Sequence, residues 1–211
     1  MKTEQLIVQL SRDTQPASVF MPVKSWLLWT LVPITVMILR FFLWQTQSPN
    51  LTKNIDLYFF LETFLLAVLF GFVPYLTFQQ SVPGFKSHRA MILTVGLFAA
   101  WIFLLIFRAS SADLQETHSA DFFQGVGCSF EILKMSLLPL LVIFLVLKRG
   151  ATLKPLRSGL MASASATMMG TLVLQVICQS PSSAHVLVFH FGAVLLVSLA
   201  GAVLGNLILR W

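Results

Sequence analysis

Charge is scarce in this chain: 10% of its 211 residues are Asp, Glu, Lys or Arg, and only 8 are acidic. A water-soluble globular domain carries about a quarter charged residues, so that class is excluded. Cysteine is nearly absent as well. Its 2 residues make one pair at most, whereas a membrane thiol oxidoreductase generally passes electrons between two pairs or to a quinone. The 4 histidines are scattered at positions 88, 118, 185 and 190. No HExxH, GxSxG, glycine-rich phosphate loop or CxxC occurs, so neither an enzyme nor a bound cofactor is expected.

What fills the chain instead is apolar. Hydrophobic residues make up 57% of it, with 19 Phe and 5 Trp, a composition that belongs in a bilayer. Crossing the hydrocarbon core takes about 20 mostly apolar residues, and six stretches qualify: 26–44, 57–78, 90–107, 127–147, 158–178 and 184–209. The expected fold is all-α, a polytopic bundle of six transmembrane helices. Six spans return both termini to one side. Ten of the 14 Lys and Arg fall in segments on that side, among them the loop KRGATLKPLR at 148–157, whereas the opposite loops hold only Lys53 and Arg108. Because Lys and Arg mark the cytoplasmic side, both termini are expected there. Trp26, Trp44 and Trp211 sit where interfacial rings belong. The net charge of +6 then reflects topology and contact with anionic lipid, not direct nucleic-acid binding.

The opening MKTEQLIVQLSRDTQPAS departs from this pattern. Glu4 and Asp13 interrupt any secretory-type apolar run. At helical spacing Leu6, Ile7 and Leu10 share one face, with Thr3 placed to cap and Pro16 to stop the helix. Three turns alone are marginal in water. The segment therefore orders against a partner, either its own membrane helices or another protein's groove. The chain divides accordingly into a cytoplasmic segment, 1–22, and a transmembrane domain, 23–211.

Within the spans, Cys128 opens the fourth and Cys178 closes the fifth, at matching depth on consecutive antiparallel helices. Two readings stand: small apolar packing residues, or two thiols close enough to pair. His118 or His185 adds imidazole nearby, so a thiophilic metal held by Cys128, Cys178 and His185 is a related reading. Only His190 is counted inside a span. Arg40 is expected to reach the interface from about one turn inside. Glu131 and Lys134 stand at i and i+3, the spacing of a neutralising ion pair. Pro139 follows in the same helix as a hinge candidate. Together Glu131, Lys134 and Pro139 are candidates to relay a change at the thiols. A small transporter would need polar groups to converge at mid-membrane, and Glu62, Glu131 and Lys134 are the candidates for it.

The order Cys128, Pro139, KRGATLKP, a small-residue span ending in Cys178, and the close GAVLGNLILRW resembles the NrsF family of multipass inner-membrane anti-sigma factors. The resemblance runs from the MKTEQLI start to Arg210 and Trp211. It implies sequestration of an extracytoplasmic-function (ECF) sigma factor at the membrane and its release under oxidative or heavy-metal stress sensed at Cys128 and Cys178. Glu4, Leu6, Ile7, Leu10 and Asp13 become the partner-binding residues under that reading. This chain carries Ile177 before its second Cys, where the family often has His, and QSPSS after it, where the family often has an acidic turn.

Overall fold

The computed structural model describes residue 5 and residues 21–47, 57–82, 85, 88–111, 119–150, 152–178 and 182–210. Glu4, Leu6, Ile7, Leu10 and Asp13 lie outside the described residues, as do Lys53, His118 and Trp211. Six helices are long and apolar enough to cross a membrane: α1 Pro22–Gln47, α2 Leu57–Gln79, α3 His88–Ser111, α4 Ser119–Leu147, α5 Pro155–Ile177 and α6 Ser183–Ile208. No strand occurs among the described residues. The all-α, six-span expectation is met.

The helix limits differ from the apolar runs by a few residues, and two of the differences bear on the site. Helix α4 begins at Ser119, so Cys128 lies about two and a half turns inside it and does not open the span. Helix α3 continues to Ser111, which makes Arg108 a residue of its last turn and not of a loop. Both extensions use polar residues that an apolar-run criterion discards.

Helix α5 is the axis of the bundle. It is the least apolar of the six spans, yet the most buried, and the two facts have one cause. Between tightly packed helices, small side chains bring backbones close and hydroxyls bond inside the helix, whereas lipid-facing positions ask for bulk. Ser165 donates to the Met161 carbonyl at 2.6 Å, Thr167 to Ser163 at 2.9 Å and Thr171 to Thr167 at 3.1 Å. Large apolar residues such as Phe42, Leu57, Leu196 and Leu207 point outward, each exposed by 66% or more.

The GAVLG stripe of α6 finds its neighbour within the same chain. Gly201 and Gly205 pack on Gly159 and Ser163 of α5, so closely that a Cβ built on Gly205 would stand 2.6 Å from the Gly159 Cα. Neither backbone can yield there. Gly205→Leu is therefore expected to separate α5 from α6 and reduce the membrane-inserted protein severalfold, as read by immunoblot of washed membranes, whereas lipid-facing Leu207→Ala should leave it unchanged.

Prolines interrupt three of the helices: Pro33 in α1, Pro74 in α2 and Pro139 in α4. An interior proline costs about 3 kcal/mol in water. In a bundle, contacts with neighbouring helices hold the backbone near such a break, and here α1 supplies two of them. Trp26 Nε1 donates to the Gly71 carbonyl at 3.2 Å, one turn before Pro74, and Trp29 Nε1 donates to the Pro139 carbonyl itself at 3.0 Å. Pro139 is thus held by a buried indole of another helix.

The bundle has two distinct ends. At the basic end, Gly150 abuts Ser81 and Thr152 donates to the Leu209 carbonyl at 3.5 Å, which ties the α4–α5 connection to the ends of α2 and α6. At the other end lie the two cysteines and the ion pairs of Glu62 and Glu131.

Candidate functional site

Cys128 faces α5 from α4. Cys178 is the residue that ends α5: its backbone turns extended at φ −68°, ψ 128°, while its N–H still donates to the Leu174 carbonyl. The two sulfur atoms stand 3.6 Å apart. Cys178 is buried and Cys128 half-buried.

The start of α6 completes the cluster. Residues Val186–Phe191 form a π-helical stretch, a rare local widening that is frequent at functional sites. It is seated by α4. Ser129 Oγ donates to the Phe189 carbonyl at 2.9 Å and to its own Gly125 carbonyl at 3.2 Å. Gly125 leaves the space that the Phe189 ring fills, and any Cβ at that position would collide with the ring. The wide turn brings His185 and His190 to one side, their ring centroids 5.4 Å apart. His185 Nε2 lies 3.5 Å from Cys178 Sγ. His190 is fully buried, and neither of its ring nitrogens meets a hydrogen-bond partner among the described residues.

The structure therefore brings Cys128, Cys178 and His185 together and adds His190, which sequence spacing did not select. At 3.6 residues per turn, positions five apart point about 140° away from each other on a helix. The i→i+5 bonding of a π turn removes most of that offset. His185, like His190, belongs to α6, three residues into its span.

Each cysteine is one turn from a charged cluster. Three residues past Cys128, Glu131 Oε1 accepts from Lys134 Nζ at 2.9 Å, which forms the i, i+3 pair expected from sequence. Its second oxygen accepts from Arg40 Nη2 of α1 at 3.2 Å. Arg40 thus binds a carboxylate across helices, instead of only reaching the interface. Three residues before Cys178, Gln175 Nε2 donates to Glu62 Oε2 at 3.0 Å. Glu62, 1% exposed, also faces Arg108 Nη1 at 3.7 Å. Gln175 was not singled out from sequence, because an amide in an apolar run carries no spacing signal, and Arg108 was counted there only as a loop charge.

Six membrane-length helices closing on a largely buried thiol–imidazole cluster near one end define a multipass helical membrane protein. The chain belongs to the NrsF family, described as negative regulator of sigma F, whose family model matches residues 10–211, nearly its whole length. That membership implies negative regulation of a sigma factor, and so a sigma-factor partner. The family is a regulatory one and not a known enzyme class. No curated protein and no solved structure matches the chain.

Proposed function

We propose that this protein is an inner-membrane anti-sigma factor that holds an ECF-type sigma factor at the cytoplasmic face and releases it when Cys128 and Cys178 react with an oxidant or a thiophilic metal. The observation that carries the reading is the 3.6 Å separation of the two sulfurs on different helices. A disulfide closes to about 2.05 Å, so bond formation draws the end of α5 toward the Cys128 turn of α4. With hydrogen peroxide as oxidant, two S–H bonds and the O–O bond break, the S–S bond forms, and two waters leave.

Capture is assigned to the segment 1–22, with Leu6, Ile7 and Leu10 as apolar anchors and Glu4 and Asp13 offering charge to a basic sigma-factor surface. Movement at the thiols reaches the cytoplasmic face along α4 and α5, which meet at the basic loop 148–157. Glu131 and Lys134 lie on that route, as does Pro139, which the Trp29 indole holds. Lipid surrounds the bundle, and nucleic acid is touched only by the partner.

The side assignment rests on Lys and Arg counts and has its own test. Reporter fusions after Trp211 and within 79–89 are expected to read cytoplasmic, and fusions within 109–121 periplasmic. A periplasmic C-terminus overturns the placement. The function is tested by sigma-dependent transcription with and without the co-expressed chain. Repression that peroxide or Cd2+ relieves supports the proposal. An unrepressed reporter overturns sequestration, and repression that neither agent relieves overturns sensing.

A further inference from the structure

We propose that Cys128, Cys178, His185 and His190 together form a four-coordinate site for a zinc-group divalent cation, Zn2+ or Cd2+. The inference deepens the reading of the same thiols given above, and replaces a two-sulfur sensor with a two-sulfur, two-nitrogen one.

Geometry is the first support. One ligand atom from each of the four side chains lies within 4.8 Å of every other. Bonds of about 2.3 Å to sulfur and about 2.0 Å to nitrogen make tetrahedral edges of roughly 3.3 to 3.8 Å. The Cys128–Cys178 edge is 3.6 Å and the Cys178–His185 edge 3.5 Å. Both are already at coordination spacing.

Burial is the second. An imidazole that is 0% exposed, with both nitrogens unpartnered among the described residues, leaves polar groups unsatisfied at a cost that native interiors avoid. His190 lines a cluster whose other members are all soft or borderline ligands. A cation there gives its nitrogen a partner.

Charge balance is the third. Two thiolates and two neutral imidazoles around a divalent ion sum to zero, which a low-dielectric site requires of a buried ion. Cysteine sulfur with imidazole nitrogen in tetrahedral array selects zinc-group ions over Mg2+ and Ca2+, which take oxygen.

The cation has two sources: zinc resident from synthesis, or a toxic metal arriving at the exposed end. Metal content separates them. About one zinc per chain in protein purified without added metal marks a resident ion, and metal bound only after loading marks an incoming one. The site itself is tested with Co2+ as probe on the full chain in detergent, after a chelator has stripped any resident zinc. One Co2+ per chain is expected, with the intense visible bands of a tetrahedral ion and a near-ultraviolet thiolate charge-transfer band, both lost on addition of Zn2+ or Cd2+.

His190→Gln should weaken Co2+ binding by more than about 100-fold, beyond what losing an outer-shell partner costs. His185→Gln should do the same, and circular dichroism shows whether each variant retains its helices. If either fails to fold, the other variant and the wild-type spectrum decide. A Co2+ spectrum without thiolate and tetrahedral bands overturns the site, and so does affinity unchanged in a folded His190→Gln protein. The thiol-sensing reading fails on a different result, namely full stress induction after both cysteines are replaced by Ser.

Discussion

Replacing Leu6, Ile7 and Leu10 together by Ala is expected to free the sigma factor constitutively, while the six-helix bundle stays in the membrane at its normal level. Each aliphatic anchor contributes about 1.5 to 3 kcal/mol when fully buried. Three of them therefore exceed about 4 kcal/mol, or roughly a thousandfold in the binding constant. The bundle is indifferent to the change, because its packing rests on α5 and its glycine and hydroxyl contacts with α6. Sigma-dependent transcription and co-purification from solubilised membranes read the result together. Retention of the sigma factor after deletion of residues 2–15 would move capture to the basic loop 148–157.

The second large effect belongs to the cysteines. With Cys128→Ser and Cys178→Ser combined, repression without stress is expected to persist, and induction by peroxide or Cd2+ to disappear. The capture segment and the thiols are assigned to opposite faces, so the functions separate. A structural disulfide predicts the reverse: losing one costs about 2 to 5 kcal/mol in small domains, which would lower protein abundance and raise unstressed transcription. An unchanged induction ratio excludes the thiols as sensors. Protein abundance measured in the same cells distinguishes a silent sensor from a lost repressor.

Much of this architecture was legible in the sequence because a bilayer enforces simple rules. Runs of about 20 apolar residues located all six spans, and the spacing of Glu131 and Lys134 gave their pairing directly. Even the central position of α5 has a signature, since SGLMASASATMMG is too small and too hydroxylated to face lipid. Helix limits were less legible. Ser119 and Arg108 are polar residues at helix ends, and nothing in an apolar run marks where the backbone continues past it.

The chemistry of the site was legible only by half. Cys128 and Cys178 announced themselves by rarity and matching depth. His190 did not, because its approach to His185 depends on a π turn that no residue pattern requires. The turn is seated where Gly125 admits the Phe189 ring and Ser129 binds the Phe189 carbonyl, contacts made across 60 residues of sequence or more. Arg40 was hidden for a like reason, since its carboxylate partner lies on a helix 91 positions away.

The central claim is that chemistry at one end of the bundle releases a protein bound at the other. The direct measurement is sigma-factor retention by the purified complex in lipid nanodiscs, before and after hydrogen peroxide or Cd2+. The wild-type complex should lose its sigma factor, and the complex carrying Cys128→Ser and Cys178→Ser should keep it under the same treatment. A wild-type complex that holds the sigma factor while both thiols are demonstrably oxidised or metal-bound would contradict the account.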